Sequence, residues 1–306
     1  MELLRDWFKR SFSDPQVVIL GVVLLAFFAV VVGLGAWLAP MFASIVIAYL
    51  LEAVVGRLQR LGMPRMLAVV IVFLLFMTIF IFLLFGLIPL VSRQLTQLVQ
   101  QLPNYISQGQ ELLKGLPAAY PDLISVAQVE SIIGQLGQEV ANLGQQLLGW
   151  SLASVASLIG LVVYLVLVPV LVFFLLKDKA LIIAWFTDRL PRERSLVNRV
   201  WSESEVQIAN YVRGKVVEII IVGSVTYVTF MLLGLQYSAL LATLVGFSVL
   251  VPYVGAAVVT VPIALIAYFQ FGWGWDFGQV MIAYAIIQAL DGNLLVPLLF
   301  SEVVNL

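Results

Sequence analysis

The sequence predicts an all-α, polytopic membrane protein with about seven to eight membrane segments, some of them broken or re-entrant. Three observations carry that reading. Hydrophobic residues make up 62% of the chain and charged residues only 11%, whereas a soluble domain carries about 25% charged residues. The mean hydropathy is +1.09. Apolar runs recur near the length of about 20 residues that crosses a hydrocarbon core of about 30 Å, and polar or basic connections separate them.

Residues 1–16 mix basic, acidic and aromatic side chains. Leu3, Leu4, Trp7 and Phe8 recur at helical spacing, which predicts a cytoplasmic interfacial helix. No small-residue cleavage site follows, so a cleaved signal peptide is not expected. Residues 17–91 contain membrane segments one to three. The first is 17–38; after Pro40 comes the shorter 41–55, which contains Glu52; a connection with Arg57, Arg60 and Arg65 leads into 66–91.

Residues 92–150 read as an extracytoplasmic amphipathic helical insertion. Eleven glutamines fall between positions 94 and 146, with breaks expected at Pro103, Pro117 and Pro121. Leu95, Leu98, Val99, Leu102 and Ile106 keep helical spacing, which points to helix packing rather than ligand chemistry. Residues 151–176 form the fourth segment despite Pro169. Residues 177–215 carry eight of the sixteen basic residues. With an apolar stripe through Val197, Val200, Trp201, Ile208, Tyr211 and Val212, they predict a cytoplasmic amphipathic region with a helix starting near Pro191.

Residues 216–306 return to the membrane as four apolar pieces, 216–235, 239–250, 254–269 and 279–300. The middle two are short and meet at Val-Pro-Tyr-Val-Gly. Pro252 lacks an amide hydrogen and Gly255 tolerates positive φ. This favours a re-entrant hairpin around 250–256, because irregular backbone at membrane depth survives only inside protein or along a water-filled cavity; two separate spans joined by an ordinary tight loop are the alternative. Trp273 and Trp275 fit an interfacial aromatic belt. The basic residues place the N-terminus, 57–65 and 177–215 in the cytoplasm and the glutamine-rich block outside. After Lys215 there is no cation to count.

That absence directs attention to Gln288–Pro297. There Asp291, Gly292 and Asn293 interrupt an apolar run, and the last 91 residues offer Asp291 no cation. A carboxylate at membrane depth is costly and functional by default. Gly292 and Pro297 loosen the backbone as transporter midplane sites do, and Gln288 and Asn293 offer neutral partners. A carboxylate buried without a cation is suited to carrying a proton; capping of a broken half-helix is the structural alternative. Glu218, three residues after Lys215, shares its helix face, which fits either a pathway residue or an ion pair. Glu52 is placed to pair with Arg57 by snorkelling, or to line the pathway.

The composition excludes much. Cysteine and histidine are absent, which removes disulfides, Cys/His metal sites and Ser-His-Asp catalysis. No Gly-Lys-Ser/Thr phosphate loop is present, so transport by passive or ion-gradient-coupled flux is expected. No enzyme, no cofactor and no nucleic-acid partner is expected. The partners are the lipid bilayer and a small solute or ion.

The residues also resemble the autoinducer-2 exporter (AI-2E) family, and within it the PerM-type permeases. The match rests on APMFASIVIAYLLEAVV, FFLLKD, YVRGK, LVPYVG and QALDGNLLVPLLFSEVVNL, in that order along the chain. The resemblance implies a polytopic bacterial inner-membrane transporter that forms a homo-oligomer and exports a small solute of the autoinducer-2 kind. Sodium/proton antiport is the main rival, and a non-transporting scaffold or regulator the other. Family members continue past the position of Leu306 into another apolar segment, so a truncated C-terminus is expected.

Overall fold

The computed structural model describes residues 15–119, 134, 158–189 and 195–300. The expected N-terminal interfacial helix, most of the second half of the glutamine-rich block, the helix start at Pro191 and the final six residues lie outside them. All regular structure among the described residues is helical: α1 (Pro15–Arg60), α2 (Arg65–Phe82), a π-helical turn (Leu83–Leu87), α3 (Ile88–Ala119), α4 (Leu158–Lys177), α5 (Lys179–Thr187), α6 (Ser195–Leu232), α7 (Ser238–Ser248), α8 (Val254–Phe271), α9 (Trp275–Leu290), a second π-helical turn (Asp291–Leu295) and α10 (Val296–Phe300). Five helical stretches among the described residues are long and apolar enough to cross a membrane, and two apolar helices are shorter. The chain divides into two compact units, Met1–Thr78 with Ile159–Arg213, and Ile79–Leu158 with Gly214–Leu306.

In the first unit the expected break at Pro40 does not form. α1 is one helix of 46 residues, roughly 70 Å at about 1.5 Å per residue. Pro40 is buried within it, and the buried Ser44 hydroxyl donates to the Pro40 carbonyl at 2.6 Å, with the Val168 carbonyl of α4 at 3.4 Å. Proline is tolerated in apolar helices when neighbouring helices and serine side chains satisfy the backbone in this way. α1 thus runs without a break through both expected segments, 17–38 and 41–55. Around Ser44 the core is small and aliphatic, with Ala48, Val55, Val69, Val72, Val172 and Leu176.

The expected breaks in the glutamine-rich block also fail to form where the chain is described. α2, the first π-turn and α3 follow one another without interruption, and α3 runs through Pro103 and Pro117 to Ala119. α3 packs on the second unit's core through Val91, Leu95 and Leu98, the face its stripe predicts.

That core joins α6, α7, α8 and α9 around Phe230, Leu241, Val245, Ile263, Val280 and Tyr284. α6 and α7 cross at two glycines, where a Cβ on Gly246 would lie 3.3 Å from the Gly223 Cα. α7 has eleven residues, about 17 Å, too short for a hydrocarbon core of about 30 Å. α8, with 18 residues, has spanning length.

The turn joining α7 and α8 corrects the sequence reading of Val-Pro-Tyr-Val-Gly. Positive φ falls on Tyr253, not on Gly255. With φ 62° and ψ −50°, and the Val254 amide donating to the Pro252 carbonyl at 2.6 Å, Tyr253 is the centre of a strained γ-turn. Gly255 is required for another reason: a Cβ there would fall onto the Ser248 carbonyl. Pro252 is exposed. Gly255→Ala should therefore lower the melting temperature of the detergent-solubilised protein, by the cost of overpacking, about 1–3 kcal/mol. Gly292→Ala meets no atom within 4 Å and should leave the melting temperature unchanged or raise it. Equal tolerance of the two substitutions would contradict the close approach at Gly255.

Candidate functional site

The second unit contains a polar seam inside apolar helices. α6 supplies Lys215, Glu218 and Thr226, all buried, with Glu218 only 1% exposed. Lys215 and Glu218, three residues apart on a helix, share a face, and Lys215 Nζ donates to Glu218 Oε1 at 3.0 Å. Oε2 lies at 2.9 Å from the same nitrogen, but without hydrogen-bond alignment. The second Nζ proton goes to the Val249 carbonyl at 2.8 Å, just past the end of α7. That carbonyl belongs to the negative end of a helix, which favours a cation. The Phe300 ring of α10 covers the ammonium at 5.5 Å and lies against Gly214, where any Cβ would displace it.

Asp291 opens the second π-turn. The Val296 amide reaches back five residues to the Asp291 carbonyl, so the expected broken helix is a continuous one with an inserted residue. The carboxylate is within electrostatic reach of Glu218 and Lys215. Its Oδ1 is shielded and has no hydrogen-bond partner among the described residues. No lysine or arginine follows Lys215 in the chain, and no ion pair or hydrogen bond joins a cation to Asp291 among the described residues; Lys215 acts on it only through the electrostatic field that Glu218 also feels.

The seam continues along α9 and α8. The Tyr284 hydroxyl donates to the Ala256 carbonyl at 2.9 Å, and the Thr260 hydroxyl donates to the same oxygen at 2.8 Å. Gln288 approaches the Tyr284 hydroxyl, although its Nε2 has no aligned partner. Tyr284, Gln288 and Asp291 are spaced by four and three residues, one helix face. That polar stripe was readable in the sequence, but Tyr284 and Thr260 were passed over as ordinary apolar-helix residues.

Other sequence candidates fall elsewhere. Asn293 is exposed, and its amide donates to the Ala289 carbonyl one turn back at 2.8 Å; it does not serve Asp291. Gly292 and Pro297 are exposed too. Pro297 is the second residue of α10, after Val296. Glu52 lies in the first unit. It does not pair with Arg57; Arg65 binds both its oxygens at 3.1 and 3.3 Å, and Lys179 donates at 3.2 Å. Arg57 lies on an exposed face one helix end away, whereas α2 and α5 bring Arg65 and Lys179 from distant sequence. Arg65 also donates to the Leu176 carbonyl at 2.8 Å, which ties α4 to the same carboxylate.

The second unit also holds an open cavity of about 360 Å³ lined by Gln94, Gln97, Gln101, Gln236 and Tyr237. One of these glutamines is structural: Gln94 Oε1 accepts the Leu240 amide at 2.8 Å and caps the start of α7. Gln270 clamps the preceding loop, accepting from the Gln236 amide and donating to the Gly234 carbonyl, both at 2.8 Å. Burial, aided by the hydrogen bond and charge of Tyr105, pushes the Tyr237 hydroxyl up to about 12, so it stays neutral.

These features define a multi-pass, all-helical membrane protein with a charged site inside its apolar helices. The family model described as AI-2E family transporter matches residues 17–306, and the chain belongs to that family. It is 44% identical over 306 residues to PerM of Escherichia coli (strain K12), named as a permease, covering 100% of this chain and 87% of PerM. It is 26% identical over 275 residues to YueF of Bacillus subtilis (strain 168), named as a transport protein, covering 87% of this chain and 73% of YueF. With sll0063 of Synechocystis, also named as a transport protein, it shares 27% identity over 274 residues, covering 85% of this chain and 66% of sll0063.

A buried pair broken on one side leaves an uncompensated charge, at a cost of about 3–5 kcal/mol. Lys215→Met and Glu218→Gln should each lower thermal stability by that order. The double variant should recover much of the loss, as read from a double-mutant cycle of detergent melting. Additive losses would mean that the pair is not coupled.

Proposed function

We propose that this chain is a permease of the bacterial inner membrane that moves a small solute by flux coupled to an ion gradient, with Asp291 as the ion- or proton-carrying group. One observation carries the reading: a shielded Asp291 oxygen without a hydrogen-bond partner among the described residues, on a π-turn, facing a lysine already engaged by Glu218 and Val249. π-turns of this kind occur frequently at functional sites, and an intramembrane carboxylate marks an ion or substrate path. Gln288, Tyr284 and Thr260 supply neutral hydrogen-bonding groups beside it. Glu218 completes the pathway set, and the α7–α8 hairpin, read as a re-entrant element, lines it. The family resemblance favours export of an autoinducer-2-like solute by a homo-oligomer, and the basic residues near the start of the chain favour a cytoplasmic N-terminus.

Sodium/proton exchange is the second reading, and a specific observation favours it. Lys215 is bonded to Glu218 and not to Asp291, whose Oδ1 has no hydrogen-bond partner among the described residues, so a small cation would find an unengaged carboxylate oxygen there. The experiment is flux in proteoliposomes under imposed sodium or proton gradients. Asp291→Asn should abolish gradient-dependent flux, at least tenfold below wild type, while insertion and assembly persist. Undiminished flux in that variant would remove Asp291 from the mechanism. Proton movement driven by sodium alone, with no organic solute present, would assign the chain to exchange. Correct assembly with no flux under any gradient would identify a scaffold or regulator.

A further inference from the structure

The first unit contains a groove of about 160 Å³ that the transport reading does not use. Ile45 and Ala48 of α1, Leu175 of α4, and Ile182 and Ile183 of α5 form its apolar walls, with Glu52 and Lys179 at one end. The charge there is unbalanced. Arg65 and Lys179 share the single carboxylate of Glu52. An ammonium has three donors, and Glu52 is the only hydrogen-bond partner of Lys179 among the described residues. Two donors therefore remain at the mouth of an apolar slot.

α5, which forms one wall, has an exposed apolar surface of its own. Leu181 is 72% exposed, and Trp185 and Phe186 are at least half exposed. The Arg189 guanidinium stacks over the Trp185 ring at 3.7 Å. A short helix with exposed aliphatic and aromatic residues and a basic end has the chemistry of the headgroup region of a bilayer. The groove, its cationic mouth and this helix select an occupant with an apolar tail and a negative head.

We propose that the groove seats part of one acyl chain of an anionic phospholipid, whose phosphate is held by Lys179. Its volume of about 160 Å³ takes a stretch of aliphatic chain and no folded segment. The excess of cations over carboxylates at its mouth distinguishes an anionic lipid from a zwitterionic one. Free phosphate shares the headgroup chemistry but leaves the apolar walls empty.

The test uses the full chain, purified in neutral detergent and stripped of lipid. Phosphatidylglycerol, phosphatidylcholine and inorganic phosphate are titrated separately, reading lipid retention by native mass spectrometry and the melting temperature. Phosphatidylglycerol should be retained and raise the melting temperature, while the other two should do neither. Lys179→Gln should weaken phosphatidylglycerol retention about fivefold, the worth of one surface cation facing an anionic lipid. Because that variant also alters the Glu52 cluster, Ile183→Trp provides the second arm. It fills the groove from a half-exposed position with every charge intact, and should abolish the selective retention in a folded protein. Equal retention of phosphatidylcholine, an equal shift with inorganic phosphate, or undiminished phosphatidylglycerol binding by Ile183→Trp would each overturn the proposal.

Discussion

The second unit depends on how a chain without cations beyond Lys215 accommodates carboxylates in apolar helices. Moving an ion out of water costs several kcal/mol even after relaxation, and only close pairing with good geometry offsets it. Lys215 is placed where it can serve several acceptors. It donates to Glu218 and to the Val249 carbonyl and lies in the field of Asp291. An ammonium has three protons, and two are committed. Glu218 Oε2 is near the same nitrogen but misaligned for a hydrogen bond. Asp291 is left with electrostatic stabilisation and, among the described residues, no hydrogen bond to its Oδ1.

The surrounding backbone is arranged around that lysine. The bond to Val249 pins the end of α7, immediately before the γ-turn at Tyr253 and the close contact of Gly255 with Ser248. α7 is brought up to α6 by the Gly223–Gly246 crossing, without which Val249 would stand off from Lys215. The π-turn then sets the phase of the last helix. One inserted residue rotates α10 by about 100° relative to an unbroken helix, and α10 ends with Phe300 over the ammonium. Strain at Tyr253, an extra residue at Asp291 and two glycines in contact are local costs, each of which keeps charge inside the unit paired.

The sequence made the fold class legible because hydropathy and the positions of arginine and lysine are dominated by the cost of burying charge, which depends on composition. It made Asp291 and the Lys215–Glu218 pair legible for the same reason. It misread proline. Pro40, Pro103 and Pro117 sit inside helices; for the buried Pro40 the reason is that in apolar surroundings the alternative to a helix is unsatisfied backbone, which costs more than one missing amide. The partners of Glu52 were illegible, since Arg65 and Lys179 arrive from other helices and no local spacing encodes them. The π-turn was legible only as an anomaly. Asp-Gly in an apolar run signals disturbed backbone, but whether the helix breaks or absorbs one residue depends on packing by α6 and α8.

The two carboxylate clusters show what distinguishes a latch from a working site. Glu52 has a surplus of cations: Arg65 engages both its oxygens, and Lys179 adds a third contact. Arg65 also bonds the end of α4. Two cations on one carboxylate tie α1, α2, α4 and α5 together. Around Glu218 and Asp291 the balance is reversed, with Lys215 the one cation in electrostatic reach of both among the described residues. On the transport reading, that deficit is what a bound cation would offset, and the Glu52 cluster has no such deficit.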